Sequence, residues 1–106
     1  MPSVETKVVG VTFHDGYPGN FHKWSLLEDG RYPNCKLVRE PDNEYDPNAV
    51  AVRVGRSIIG HVPKELAVRV AEVMDSGVEV TARVVTVETF PDLPANPTMI
   101  IEINRP

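Results

Sequence analysis

The firmest constraint on this chain is the stretch Ala49-Val50-Ala51-Val52-Arg53-Val54-Gly55-Arg56-Ser57-Ile58-Ile59-Gly60-His61. Val50, Val52 and Val54 alternate, which places three β-branched side chains on one face of a strand. Gly55-Arg56 supplies a two-residue turn, and residues 57–61 form the returning strand. Such a hairpin needs further strands around it, and the rest of the sequence offers them.

Residues 7–13 are β-branched and aromatic, with Gly10 at a point of close approach by a neighbour. Residues 35–39 alternate loosely and stop at Pro41. Residues 78–87 form a long β-branched stretch, and residues 97–103 offer a last strand. Two helices are predicted. Pro63 suits a first helical position, and Leu66, Val70 and Val73 follow at helical spacing with Ala67, Ala71 and Met74 beside them. Gly77 stops that helix. The second runs over residues 21–28, with Asn20 as its N-cap and Gly30 at its end. Phe13, Tyr17, Phe21 and Trp24 form an aromatic group whose first role is packing. Residues 90–97 hold three prolines and read as a loop. Six strands and two helices in 106 residues predict a mainly β (α+β) fold, a small six-stranded open barrel forming one domain over residues 1–106.

Charge narrows the function. The chain is net −4, which excludes a polybasic protein that binds nucleic acid by bulk charge. The middle third is different: residues 31–69 carry seven basic against five acidic side chains. No apolar run reaches the ~20 residues of a membrane helix. The first residues show no export signal, so a cytoplasmic setting with no membrane partner is expected. Cys35 has no second cysteine for a disulfide or a thiolate metal site. No nucleophile elbow, phosphate-binding glycine loop or Cys-x-x-Cys is present, and no cofactor and no catalytic activity are expected.

The densest motif is Arg39-Glu40-Pro41-Asp42-Asn43-Glu44-Tyr45-Asp46-Pro47-Asn48-Ala49-Val50. Prolines fix φ, and Asp and Asn side chains bond nearby backbone amides, so a rigid turn is one reading. A turn alone does not need Tyr45. A ring held by a stiff loop beside carboxylate and amide groups also suits stacking of a base. Calcium fails in detail, because Pro47 and Arg53 stand where such a loop needs glycine and glutamate. His14, His22 and His61 lack metal-ligand spacing. His61 leads through Val62-Pro63 into a helix start with Lys64 in its first turn, where a phosphate is favoured.

The residues of this motif, with Val9-Gly10-Val11 before it and Ile59-Gly60-His61-Val62-Pro63 and Leu66-Ala67 after it, resemble the HIRAN domain. That module stands at the N-terminus of helicase-like transcription factor and related fork-remodelling ATPases, and alone in bacterial and phage proteins. The resemblance covers residues 4–87. It implies an OB-like six-stranded barrel with two helices that captures the 3′-hydroxyl end of single-stranded DNA. Asn43, Tyr45 and Asp46 match the end-binding loop, with Tyr45 stacking and Asp46 accepting a hydrogen bond from the terminal hydroxyl. Phe13 falls at a stacking tyrosine, and His61 and Lys64 match the phosphate-contacting helix start. Thr12 replaces an arginine of the family, Ile100 and Ile101 stand where an aromatic occurs, and residues 16–20 are an insertion.

The expected function is therefore a non-catalytic module for single-stranded DNA, preferring 3′ ends and serving DNA repair. Phe13 and Tyr45 would stack, Asn43 and Asp46 would read the end, and Arg39, His61 and Lys64 would hold phosphates. An ATPase, helicase or nuclease would act as a partner in trans. Two alternatives share the same loop: a protein-interaction module, or a metal-dependent nuclease using Asp42, Glu44 and Asp46.

Overall fold

The computed structural model describes residues 3–10, 34–88 and 98–104. Six strands lie in one antiparallel sheet: β1 (Ser3–Lys7), β2 (Asn34–Arg39), β3 (Val50–Val54), β4 (Ser57–His61), β5 (Thr81–Glu88) and β6 (Thr98–Asn104). Their order is β1-β6-β5-β2-β3-β4, so the outermost strands are the first and the fourth. One helix, α1 (Lys64–Asp75), follows β4. The predicted helix over 21–28, the loop over 90–97 and the aromatics Phe13, Tyr17, Phe21 and Trp24 lie outside the described residues.

The sheet rolls into a half-barrel. Register shifts between Val52 and Arg53 and between Val84 and Thr86 bend it, as a bulge does by adding one residue on one strand. The two edges then meet. Beyond β1, the Val8 amide still donates to Met99 on β6 at 2.9 Å. One residue later the chain crosses to β4, where Val9 and His61 exchange two backbone hydrogen bonds, each 2.9 Å. Gly60 permits this approach. A Cβ there would stand 2.6 Å from Val8 Cγ1 and closer still to the Val9 carbonyl oxygen.

The alternation seen in the sequence becomes the core. Val50 and Val52 are fully buried, as are Met99 and Ile101 on β6, with Val8, Val54, Ile59 and Ile103 around them. Each contributes about 1.5–3 kcal/mol on leaving water. Helix α1 lays Ala67, Val70 and Ala71 against this cluster, with Leu66 and Met74 at its margin. Pro63 is the N-cap rather than the first helical residue, and its carbonyl accepts from Leu66 and Ala67 at 3.0 and 2.8 Å. Glu65 and Glu72 lie away from the core, and Gly77 ends the helix at φ 91°.

Two strand boundaries differ from expectation. β1 runs over Ser3–Lys7, because its partner is β6 and Val4 pairs with Ile103. The expected strand over 7–13 therefore meets it only at Lys7, and residues 11–13 lie outside the described residues. The fifth begins at Thr81 rather than 78, where Arg83 meets Asn34 of β2 and Thr81 meets Asn104.

Candidate nucleic-acid interface

Between β2 and β3 the chain makes two turns in succession. The Asn43 amide donates to the Glu40 carbonyl at 3.1 Å around Pro41-Asp42, and the Ala49 amide donates to the Asp46 carbonyl at 3.0 Å around Pro47-Asn48. Each turn has proline at its second position, where φ is already set near −65°. Side chains close the remaining gaps. Asn43 Oδ1 accepts from the amides of Tyr45 and Asp46 at 2.9 and 3.0 Å, and Asp46 Oδ1 accepts from the Asn48 amide at 2.9 Å. The Glu40 amide donates to the Ala49 carbonyl at 3.0 Å across the loop's neck. Tyr45 sits between the turns with its backbone held and its side chain 88% exposed. A large ring left in water on a stiff backbone is surface that the packing of the fold does not use.

The loop is tied to the rest of the protein at both ends. Arg39 donates through Nε and Nη2 to the two carboxylate oxygens of Asp75 at 3.0 and 3.1 Å, and through Nη1 to Ala49 O at 3.3 Å. Asp75 closes α1, an end where a carboxylate opposes the helix dipole and where no basic residue of the helix stands. Arg39 supplies the missing cation from β2. Glu40 faces the other way: its Oε1 contacts His61 Nε2 at 2.7 Å and accepts from Asn43 Nδ2 at 3.2 Å. His61 is thus set twice, by its backbone bridge to Val9 and by its ring on Glu40. Three residues on, Lys64 opens α1 as an exposed ammonium with no partner among the described residues.

The structure sorts the residues singled out in the sequence. Tyr45, Asp46, His61 and Lys64 belong to the loop and to the strand–helix junction that Glu40 links to it. Asn43 is engaged in holding the loop, and Arg39 is engaged with Asp75. Phe13 and Thr12 lie outside the described residues. Ile101 is buried in the core and adds nothing to a binding face. Glu40 and Asp75 were not among the expected site residues. Glu40 stood in the motif and could have been paired with His61 from opposite charge character, but Asp75 is 36 residues from Arg39 and nothing local marks it. Among the described residues, no group of three His, Cys, Asp or Glu is placed to share a metal ion. No helix among them is long and apolar enough to cross a membrane.

Among the described residues, a half-barrel with one helix carries a stiff loop that offers an exposed ring beside carboxylate and basic groups. The HIRAN domain model matches residues 1–104, and this chain belongs to the HIRAN domain family. Over 71 residues it is 34% identical to mouse helicase-like transcription factor. That stretch is 66% of this chain but 6% of the mouse protein. The crystal structure of the HIRAN domain of human HLTF is similar at a TM-score of 0.67 with 26% identity, covering 97% of this chain and 74% of that one. A Lactobacillus plantarum protein shares the fold at a TM-score of 0.64 with 21% identity, over 96% of this chain and 95% of that one. Membership makes DNA binding the coarse functional class.

Proposed function

We propose that the chain is a non-catalytic module that binds single-stranded DNA and prefers a 3′-hydroxyl end. The observation that carries this reading is Tyr45, 88% exposed on a loop whose backbone is bonded at both turns. Stacking one base on such a ring is worth about 1–3 kcal/mol and loses little to ordering, because the loop is already fixed. Asp46 beside it spends Oδ1 on Asn48 but keeps the acceptor capacity of a carboxylate for a terminal hydroxyl. Lys64 and His61 lie where the following phosphate would meet a helix start. Phe13 supplies a second stacking face. The captured end is passed to an ATPase, helicase or nuclease in trans, in the cytoplasm and in DNA repair.

The test is fluorescence anisotropy at low salt with short oligothymidylates ending in 3′-hydroxyl or 3′-phosphate. The hydroxyl end should bind more tightly, and Tyr45→Ala should lose about 1–3 kcal/mol without changing the thermal midpoint. Equal affinity for both ends would reject end recognition. An unchanged affinity in Tyr45→Ala would remove the ring from the site.

A further inference from the structure

Charge is sorted across the outer face of the sheet. Cys35, Val52 and Val54 point into the core, so Lys36 of β2 and Arg53 of β3 point outward from directly paired positions. Like charges opposed across two strands repel and destabilise the pair. Two acids of neighbouring strand ends are already engaged elsewhere. Arg83, level with Asn34, donates to Glu102 at 3.0 Å, and Glu40 is held by His61 and Asn43. Neither Lys36 nor Arg53 has a hydrogen bond or ion pair among the described residues, and Arg53 Nε is shut off from water without any partner. A guanidinium desolvated on one edge attracts an anion more strongly on its open edge. Arg56 adds a third cation in the exposed turn that joins β3 to β4.

We propose that Lys36 and Arg53, with Arg56 beside them, hold a backbone phosphate of the bound strand several nucleotides 5′ of its end. This rests on reading the Tyr45 loop as the 3′-end site. Lys36 precedes Glu40 by four residues on β2, so the pair lies on the order of 13 Å from the loop's neck. A strand whose end sits at Tyr45 and which runs back over the outer face of β2 and β3 meets it. The site reads charge and no sequence.

The experiment compares a dinucleotide and a decanucleotide of thymidine, both with 3′-hydroxyl ends and a 5′ label, over a range of salt. The proteins are the unaltered chain, Lys36→Gln, Lys36→Gln/Arg53→Gln, Arg53→Lys and Tyr45→Ala. The double variant should bind the dinucleotide as the unaltered chain does. It should weaken on the decanucleotide, its salt slope falling by about 0.7 for each phosphate that is no longer neutralised. Lys36→Gln alone, at an exposed position, should show part of that fall, which keeps the test valid if Arg53→Gln does not fold. Arg53→Lys should retain the slope. An unchanged slope, or equal weakening at both lengths, overturns the proposal. If Tyr45→Ala weakens both ligands while the double variant changes neither, the phosphate site alone fails. If the unaltered chain binds neither ligand, the end-binding reading fails and this one falls with it.

Discussion

Gly60→Ala tests whether the half-barrel depends on the bridge between Val9 and His61. The added methyl would stand 2.6 Å from Val8 Cγ1 and against the Val9 carbonyl oxygen, so either the side chain or the bridge must move. Forcing a methyl into packed surroundings costs about 1–3 kcal/mol. If the bridge yields, its two hydrogen bonds add about 0.5–1.5 kcal/mol each. The smaller freedom of the unfolded chain returns about 0.4–1 kcal/mol. The net cost should be about 2–5 kcal/mol, a large part of the 5–15 kcal/mol typical of a domain. Gly55→Ala is the control. It sits at φ 60° with nothing within 4 Å of the new Cβ, so it should cost only the left-handed penalty of about 1–2 kcal/mol. Urea unfolding with equal slopes for both variants gives the comparison directly. A destabilisation at Gly60 below about 1 kcal/mol, or no larger than at Gly55, would refute the close approach as the reason for glycine there.

Two further predictions concern residues that hold the site and the core beneath it. Arg39→Met and Asp75→Asn should couple by about 0.5–1 kcal/mol in a double-mutant cycle on stability, because Asp75 is half in water; zero coupling would mean that the clamp is incidental. Burial pushes the Cys35 thiol up to about 11. The folded state therefore keeps a proton that the unfolded chain releases near its ordinary value of about 8.5. The Cys35 contribution to stability is full below that pH and is lost as pH rises toward 11. Urea melts of Cys35→Ala at neutral and alkaline pH should show a shallower alkaline decline than the unaltered chain, and identical declines would refute it.

Much of the fold could be read in the sequence because it is set by local pattern. Val50, Val52 and Val54 alternate and become core, and Gly55-Arg56 turns the chain as its residues require. The helix runs from Lys64 to Asp75, between the Pro63 cap and Gly77, with Ala67, Val70 and Ala71 inward. The loop was legible in kind, since Pro41 and Pro47 each precondition a turn and Asn43 and Asp46 bond the amides nearby. What was not legible depends on distant pairing. The β1 boundary is set by β6, nearly the whole chain away, and an exposed edge strand shows little alternation. Arg39 reads as a free cation in a basic stretch, yet its role is decided by Asp75 at the far end of α1. Lys36 and Arg53 are separated in sequence and become neighbours only through strand register. The predicted second helix lies outside the described residues; α1 is the one helix among them.

The net charge of −4 and a DNA-binding role are compatible because the charges are not evenly distributed. Glu5 and Glu102 stand opposite each other across β1 and β6, while Lys36 and Arg53, unpartnered among the described residues, stand opposite each other on β2 and β3. Arg39 is paired with the Asp75 carboxylate, and Glu40 places a carboxylate against His61. Long-range attraction for a polyanion is therefore weak, and a strand gains affinity only once it is in contact. With one phosphate at Lys64 and one held by Lys36 and Arg53 together, the salt slope for a single strand should be near −1.4, at about 0.7 per phosphate neutralised. A protein that held DNA by bulk charge would show a far steeper slope. On the proposed reading the remainder of the binding energy comes from stacking on Tyr45 and from recognition of the end, neither of which salt screens. A module of the proposed kind would discriminate a chain terminus from the interior of a strand because the charge it offers is too small to hold the interior by itself.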